Sequence, residues 1–251
     1  LLNGTAGTWL ELDEGNLLAK GHPGIQVVPA ALAVAQETGA SGAALLLAAT
    51  LGYEICSRLS RAAKLKLSVH PHGTWGVIGA AVAVAKLKGF SAAQMTALLN
   101  VAATLGLATS RGTLLEGSTV RNLFTGHSAH MGIAAAQAVE AGFTGQADAP
   151  AAVFGAVLSD GFDAAQALAG LGTKWMVAQG YFKLHPTGRY VHAAIDALED
   201  ALAASGRDRL APSHRSRMAC STAADGSRED RGSPGGACDR GETAVRARAR
   251  A

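Results

Sequence analysis

The stretch Gly79-Ala80-Ala81-Val82-Ala83-Val84-Ala85 decides the fold class. It lies in a segment, residues 75–88, whose composition predicts a helix, and it has small or apolar side chains on every side. A helix without a polar stripe is buried on several sides and packs closely against its neighbours. The stretch therefore predicts the centre of a domain that is built from many helices.

Other helices are predicted on both sides of this centre. Pro29 suits the first position of one helix and Gly39 follows its end, Ser41 is a candidate N-cap, and Ser91 with Gln94 forms a capping box. The predicted helices span residues 29–38, 41–63, 75–88, 91–108, 119–141, 150–158, 162–168 and 190–204. No run alternates apolar and polar residues between turn residues, so strands should be nearly absent. The predicted fold class is all-α.

Charge is distributed unevenly along the chain. Residues 1–205 carry 12 Lys and Arg against 13 Asp and Glu, whereas residues 206–251 carry 10 Arg against 6 acids. The net positive charge therefore belongs to the tail, and it does not indicate a nucleic-acid surface on the helical part. The tail lacks aromatic residues, so we expect it to be disordered or to be an out-of-frame translation. A basic arm for an anionic partner is the alternative.

Cysteine usage and hydropathy bear on the compartment. Three cysteines without zinc-ligand spacing argue against both a disulfide framework and a zinc site, and Cys56 is expected to be a small buried residue. The first residues, Leu-Leu-Asn-Gly, do not resemble a signal peptide. The longest apolar stretches, such as residues 77–85, are too short to cross a bilayer. We expect a soluble, cytoplasmic protein with no membrane or nucleic-acid partner.

Polar residues that could take part in catalysis lie between the predicted helices or at their starts. His22-Pro23 and His70-Pro71 place imidazoles where backbone N–H groups favour anions, and histidine can move a proton near neutral pH. Arg121 can hold a carboxylate with two parallel hydrogen bonds, and Lys183 adds a second positive charge. Such a set suits elimination, decarboxylation or epimerisation of a di- or tricarboxylate.

Structural roles are the alternative for each of these side chains. His22 and His70 could cap helices, and Lys183 could be solvated. His127 and His130 are expected to be packing or surface residues. His70-x-His72 is similar to the metal corner of barrel hydrolases, but that corner requires a strand end in an α/β barrel, so no metal site is predicted.

Seven segments in order resemble the MmgE/PrpD family, whose members include 2-methylcitrate dehydratase, cis-aconitate decarboxylase and an iminodisuccinate epimerase. The segments are Asn3-Gly4-Thr5-Ala6 before an acidic stretch, His22-Pro23-Gly24, Gly52-Tyr53-Glu54, His70-Pro71 with Gly76, Gly126-His127-Ser128-Ala129, Gly142-Phe143-Thr144-Gly145, and Phe182-Lys183 with Arg189-Tyr190 and His192. The resemblance covers residues 3–200.

The resemblance implies a large all-α domain with a smaller α+β lid, a homodimer, and no metal or organic cofactor. It implies a site with His22, His70 and Lys183 in catalysis and with Arg121, Glu11 and Asp13 in substrate binding. The family's decarboxylases tend to have Lys at the position of Arg121, Asp-Asp-Thr at the position of Asp13-Glu14-Gly15, and a histidine at the position of Gly188. These departures weaken the case for cis-aconitate decarboxylation specifically.

The same resemblance predicts the organisation of the chain. Residues 1–180 are the helical core without its first helices, residues 181–205 begin the lid region, and residues 206–251 are the tail. Because elimination needs an enclosed site, we predict little or no activity for the polypeptide as given.

Three functions stay open. The first is a lyase for a small polycarboxylate, in which His70 or His22 moves the proton. The second is an epimerase or isomerase on the same scaffold, and the third is a non-catalytic helical fragment.

Overall fold

A computed structural model describes residues 1–206 of the chain. It divides into two compact units, Leu1–Thr187 and Gly188–Ala251, the second described only as far as Gly206. The predictions for the tail beyond Gly206, which include Cys220 and Cys238, lie outside the described residues.

Helices form most of the first unit. Its α-helices are α1 (Leu2–Gly7), α2 (Pro23–Thr38), α3 (Gly42–Ala62), α4 (Gly76–Leu87), α5 (Ala92–Thr104), α6 (Gly112–Leu115), α7 (Leu123–Glu140), α8 (Ala149–Ala151) and α9 (Ala164–Leu168). Short 3-10 helices span Thr119–Asn122 and Met176–Gln179, and a π-helical turn spans Ala152–Val157. In the second unit a 3-10 turn, Arg189–Val191, leads into α10 (His192–Ala204).

Helix α4 lies at the centre of the first unit, as its composition predicts. It packs against α2, α3, α5 and α7, and every residue from Gly76 to Ala85 is buried. Small side chains allow this proximity, because a Cβ at Gly79 would lie 2.7 Å from the Gly52 carbonyl oxygen and from the Cys56 sulfur. Cys56 is a buried free thiol, as expected. The all-α fold class is confirmed.

The predicted caps of three helices are confirmed. The Ser91 hydroxyl accepts from the Gln94 N–H, and the Gln94 side chain accepts from the Ser91 N–H. The Ser41 hydroxyl accepts from the Ala44 N–H, and Gly39 ends α2 in the left-handed conformation. Local chemistry was therefore sufficient to locate these helix ends.

Three predicted boundaries are wrong. Helix α2 begins at Pro23 rather than at Pro29, which lies inside it, because the Glu14 carboxylate accepts from the free N–H groups of the first turn. Helix α5 ends at Thr104, since the chain turns so that the Leu107 N–H reaches the Gly73 carbonyl. Phe162 ends a strand that pairs with residues 63–65 and so does not begin a helix.

Four strands of two to four residues are present among the described residues. Strand β2 (Ala63–Leu65) pairs antiparallel with β3 (Ser159–Phe162), and β1 (Gly15–Asn16) pairs antiparallel with β4 (Gly180–Tyr181). The second pairing places the residues after β4 beside the acidic loop before β1.

Buried charge joins α3 to the segment after α9. The Arg58 Nε donates to Glu54 at 2.5 Å, and both side chains are almost fully buried. The Arg58 guanidinium also donates to the carbonyls of Ala167, Ala169, Gly170 and Lys174. This ion pair orders an irregular loop.

Helix α3 is long and apolar enough to cross a membrane by length and composition, with 39% of its most apolar window buried. The core helix of a protein without a membrane meets the same criterion. Helix α3 packs against α2 and α4, and the prediction that the apolar stretches are too short to cross a bilayer is wrong for this helix by length and composition.

Candidate active site

The loop between α1 and β1 supplies three acidic side chains. Glu11 has a backbone φ of 57°, in the left-handed region that a residue with a Cβ seldom adopts. The Asp13 carboxylate is fully buried. Glu14 accepts from the Gly24 N–H at 2.6 Å and from the Ile25 N–H at 3.2 Å, so it caps α2 from outside the helix.

His22 is the residue just before α2, and its ring is held by the same loop. Its Nδ1 lies 2.5 Å from the Glu14 carbonyl oxygen and 3.6 Å from Asp13 Oδ2. Because a carbonyl can only accept, Nδ1 carries the ring proton in this hydrogen bond. The Nε2 atom of neutral His22 therefore has a free lone pair and can act as a base.

The corner His70-Pro71-His72 is fixed from both sides. The His70 N–H donates to the Thr109 carbonyl at 2.8 Å, and the Thr109 hydroxyl lies 2.9 Å from the His70 carbonyl and 3.0 Å from the His72 carbonyl. The backbone N–H of His72 donates to His70 Nδ1 at 3.1 Å. Neutral His70 therefore carries its proton on Nε2, the opposite tautomer to that of His22.

Gln26 connects the two histidine segments. Its side-chain amide donates to the His22 carbonyl, and its carbonyl oxygen accepts from the Gly73 N–H at 3.1 Å and from the Ser128 hydroxyl at 2.9 Å. Gln26 is completely buried. It fixes the distance between the start of α2 and the start of α4.

Two cations lie against the acidic loop. Both terminal nitrogens of Arg121 bind the two carboxylate oxygens of Glu11, with the second bond at 3.1 Å. The Lys183 Nζ lies 3.0 Å from Asp13 Oδ1 and 3.7 Å from Glu11 Oε2. The carboxylates of the loop thus form ion pairs with both cations, and Glu11 contacts Arg121 as well as Lys183.

Three imidazoles form one cluster beside these charges. The His72 ring lies between the other two, with centroids 5.0 Å from His22 and 4.6 Å from His70, and both contacts are edge-on. The His72 Nε2 lies 4.0 Å from Asp13 Oδ2. Neither His72 ring nitrogen nor Asp13 Oδ2 has a hydrogen-bond partner among the described residues, although all three atoms are buried.

Burial keeps the histidines of the cluster neutral. It lowers the pKa of His70 to about 4, with Arg121 adding to the effect, and it lowers the pKa of His22 and, more strongly, that of His72. Burial also raises the pKa of Glu14 to about 7, although the two backbone donors oppose it. The cluster therefore offers neutral imidazoles beside two buried ion pairs.

A divalent cation fits this cluster only in part. Asp13, His22 and His72 each offer a ligand atom, and these atoms lie within 4.8 Å of one another, a spacing that suits two histidines and one carboxylate. However, the Lys183 ammonium already binds Asp13, and both cations lower the pKa of His72 and His22. The Lys183 ammonium therefore competes with a metal ion for the Asp13 carboxylate.

All six predicted site residues lie in this region of the first unit: His22, His70, Lys183, Arg121, Glu11 and Asp13. Arg189 and His192 belong to the second unit. His127 is partly buried and His130 is exposed, both on α7, as expected.

Sequence reasoning missed His72, Glu14 and Gln26. The signal for Gln26 was a polar residue one helical turn after His22, among apolar neighbours.

One family model matches most of the described chain. The family model described as the MmgE/PrpD N-terminal domain matches residues 1–182. The match includes every helix of the first unit and all of the site except Lys183, which lies one residue beyond it. No curated protein matches the chain.

Proposed function

The chain belongs to the MmgE/PrpD family, a family of enzymes, and from this premise we propose that it is the substrate-binding helical part of a cofactor-independent lyase. The substrate is a small di- or tricarboxylic acid, and the reaction is similar to that of 2-methylcitrate dehydratase or cis-aconitate decarboxylase. A cytoplasmic location and a homodimeric full-length form are part of the same proposal.

The observation that carries the proposal is the way in which two cations hold carboxylates. Arg121 binds Glu11 through two parallel hydrogen bonds, and Lys183 binds Asp13 while also lying near Glu11. These are the contacts that two neighbouring carboxylates of a substrate would make. A substrate carboxylate would replace Glu11 on Arg121, so the loop would have to release Glu11 when the substrate binds.

The opposite tautomers of His22 and His70 support different roles in proton transfer, with His22 as the base and His70 as a hydrogen-bond donor. In a dehydration, His22 Nε2 removes a C–H proton next to a carboxylate, and the electron pair forms the double bond as hydroxide leaves. His22 then gives the same proton to the leaving hydroxide, so that water departs and neutral imidazole is regenerated. Neutral His70 donates its Nε2–H to the enolate-like oxygen, and Arg121 with Lys183 offsets the negative charge.

Two alternatives keep specific support. A third imidazole, His72, next to His22 provides two groups that could exchange a proton, as an epimerase requires. A non-catalytic helical fragment is supported by the ion pairs themselves, since Glu11 and Asp13 already neutralise Arg121 and Lys183.

Calorimetric titration with tricarballylate tests the proposed anion site. We expect binding to the chain, and we expect Arg121→Gln to weaken it about 10- to 100-fold because a charged two-bond contact is lost. Lys88→Gln is the matched control, since it removes a cation from a surface ion pair with Glu140. Absence of binding to the unaltered chain would refute the proposal.

Product analysis separates the reaction classes. The chain is incubated with 2-methylcitrate, cis-aconitate and iminodisuccinate, and products are followed by NMR. Loss of water or of CO₂ identifies the lyase, and inversion of configuration alone identifies the epimerase. Little or no turnover is expected from this polypeptide, so the products are followed over long incubations at high protein concentration, and an ordinary enzymatic rate would contradict that expectation.

A further inference from the structure

We propose that His72 and the Oδ2 atom of Asp13 form a subsite for a neutral hydroxyl group of the ligand. The inference rests on the proposed function, because the hydroxyl would belong to the polycarboxylate that Arg121 and Lys183 hold. His72 is not among the residues that the family resemblance assigns to the site. His72 would be a binding residue that favours polycarboxylic acids with a hydroxyl group over those without one.

The first argument is the state of the buried polar atoms. His72 is fully buried, and both of its ring nitrogens lack a partner among the described residues, as does Asp13 Oδ2. Buried polar atoms in native proteins almost always have a hydrogen-bond partner, since a buried donor or acceptor without one costs stability. Two such residues side by side, next to paired cations, point to a ligand group that completes their hydrogen bonds.

The second argument is the distance between the free atoms. His72 Nε2 and Asp13 Oδ2 are 4.0 Å apart, too far for a direct hydrogen bond. An oxygen atom about 2.8 Å from each would bridge them with normal hydrogen-bond lengths. The contacts of the His72 ring with His22 and His70 hold it in the required orientation.

The third argument is the chemistry of the two partners. The Asp13 carboxylate can only accept, so it repels a second carboxylate and requires a donor. Neutral His72 offers one N–H, so it requires an acceptor if Nε2 carries the proton. A hydroxyl group is donor and acceptor at once, whereas a cation would be repelled by Lys183, which lies 3.0 Å from the other oxygen of Asp13.

Citrate and tricarballylate test this subsite, because they differ by a single hydroxyl group. Calorimetric titration of the chain at pH 8 should give at least about fivefold tighter binding of citrate, because its hydroxyl group adds hydrogen bonds to His72 and to Asp13. In His72→Phe the preference for citrate should fall to about twofold or less, because only the contact with Asp13 remains, and the tricarballylate affinity should be unchanged within about twofold. His72→Gln keeps a donor and should retain part of the preference, and His130→Phe on the exposed side of α7 should retain all of it.

The outcomes distinguish this proposal from the one on which it rests. Binding of tricarballylate with no preference for citrate, or with a preference that His72→Phe leaves intact, overturns the hydroxyl subsite and leaves the anion site standing. Binding of neither acid overturns both.

A measurement on the unaltered chain covers the case in which His72→Phe does not fold. In long-range ¹H–¹⁵N spectra, citrate but not tricarballylate should shift the ring nitrogens of His72. Equal shifts with both acids overturn the subsite.

Discussion

Replacing His70 by Asn should remove a large pH dependence from the stability of the protein. The side-chain oxygen of Asn can accept from the His72 N–H in place of His70 Nδ1, so the hydrogen bond at 3.1 Å is retained while the titrating group is lost. The change therefore isolates the charge of one imidazole from its role in the corner.

The magnitude follows from burial. His70 has an ordinary pKa of 6.5 in the unfolded chain and a pKa of about 4 in the folded protein. Between these values the unfolded chain binds more protons, so stability falls as the pH falls. Each pKa unit corresponds to about 1.4 kcal/mol, so the stability contributed by neutral His70 above pH 6.5 should decrease by about 3 kcal/mol on acidification to pH 4.

Urea denaturation at pH 7, 6, 5 and 4 measures this contribution. The free energy of unfolding of the unaltered chain minus that of His70→Asn should fall by about 3 kcal/mol across the series. His130→Asn, at an exposed position of α7, corrects for the loss of one imidazole from the unfolded chain. A difference that stays constant with pH would show that burial does not lower the pKa of His70.

Three further changes probe other parts of the structure. Burial raises the pKa of Glu14 to about 7, so the protonated form is favoured in the folded chain. As the pH rises from 4.5 to 8, the free energy of unfolding of the unaltered chain should therefore fall by about 2 kcal/mol relative to Glu14→Gln, a value that allows for the partial exposure of Glu14. Urea denaturation measures this difference. An unchanged difference would contradict this. Gly52→Ala places a Cβ 2.7 Å from Val27 and should cost about 1–3 kcal/mol in thermal unfolding, whereas Gly42→Ala, with open space around it, should not destabilise the chain. Arg58→Met leaves Glu54 buried without its cation and should cost about 3–5 kcal/mol by urea denaturation, and a smaller loss than about 1 kcal/mol would rule out a structural role for the pair.

Local chemistry predicted the centre of the fold but not every boundary. The small residues of α4 need close neighbours on all sides, and this requirement can be seen in a single segment. The start of α2 could not be predicted in that way, because its cap is the side chain of Glu14, which lies in a separate loop. Pro29 therefore resembled a helix start although six residues of helix precede it.

The candidate site was predictable in its members but not in their pairing. Histidines before helices and an arginine at a helix start indicate anion binding from sequence alone. The contact between Arg121 and Glu11 joins residues 110 positions apart, and no spacing rule connects them. His72 was considered as a metal ligand and set aside because the motif requires a strand end of an α/β barrel. Its burial could not be predicted, because it depends on how α2, α4 and the segment around Thr109 meet.

The two-residue pairing of β1 with β4 has a consequence for the order of assembly. It brings Gly15 opposite Tyr181 and so places the ammonium of Lys183 on Asp13, a contact between residues 170 positions apart. Loop closure over such a distance is slow and comes late. On the ribosome, the acidic loop therefore remains without the contact between Asp13 and Lys183 until nearly all of the first unit has emerged.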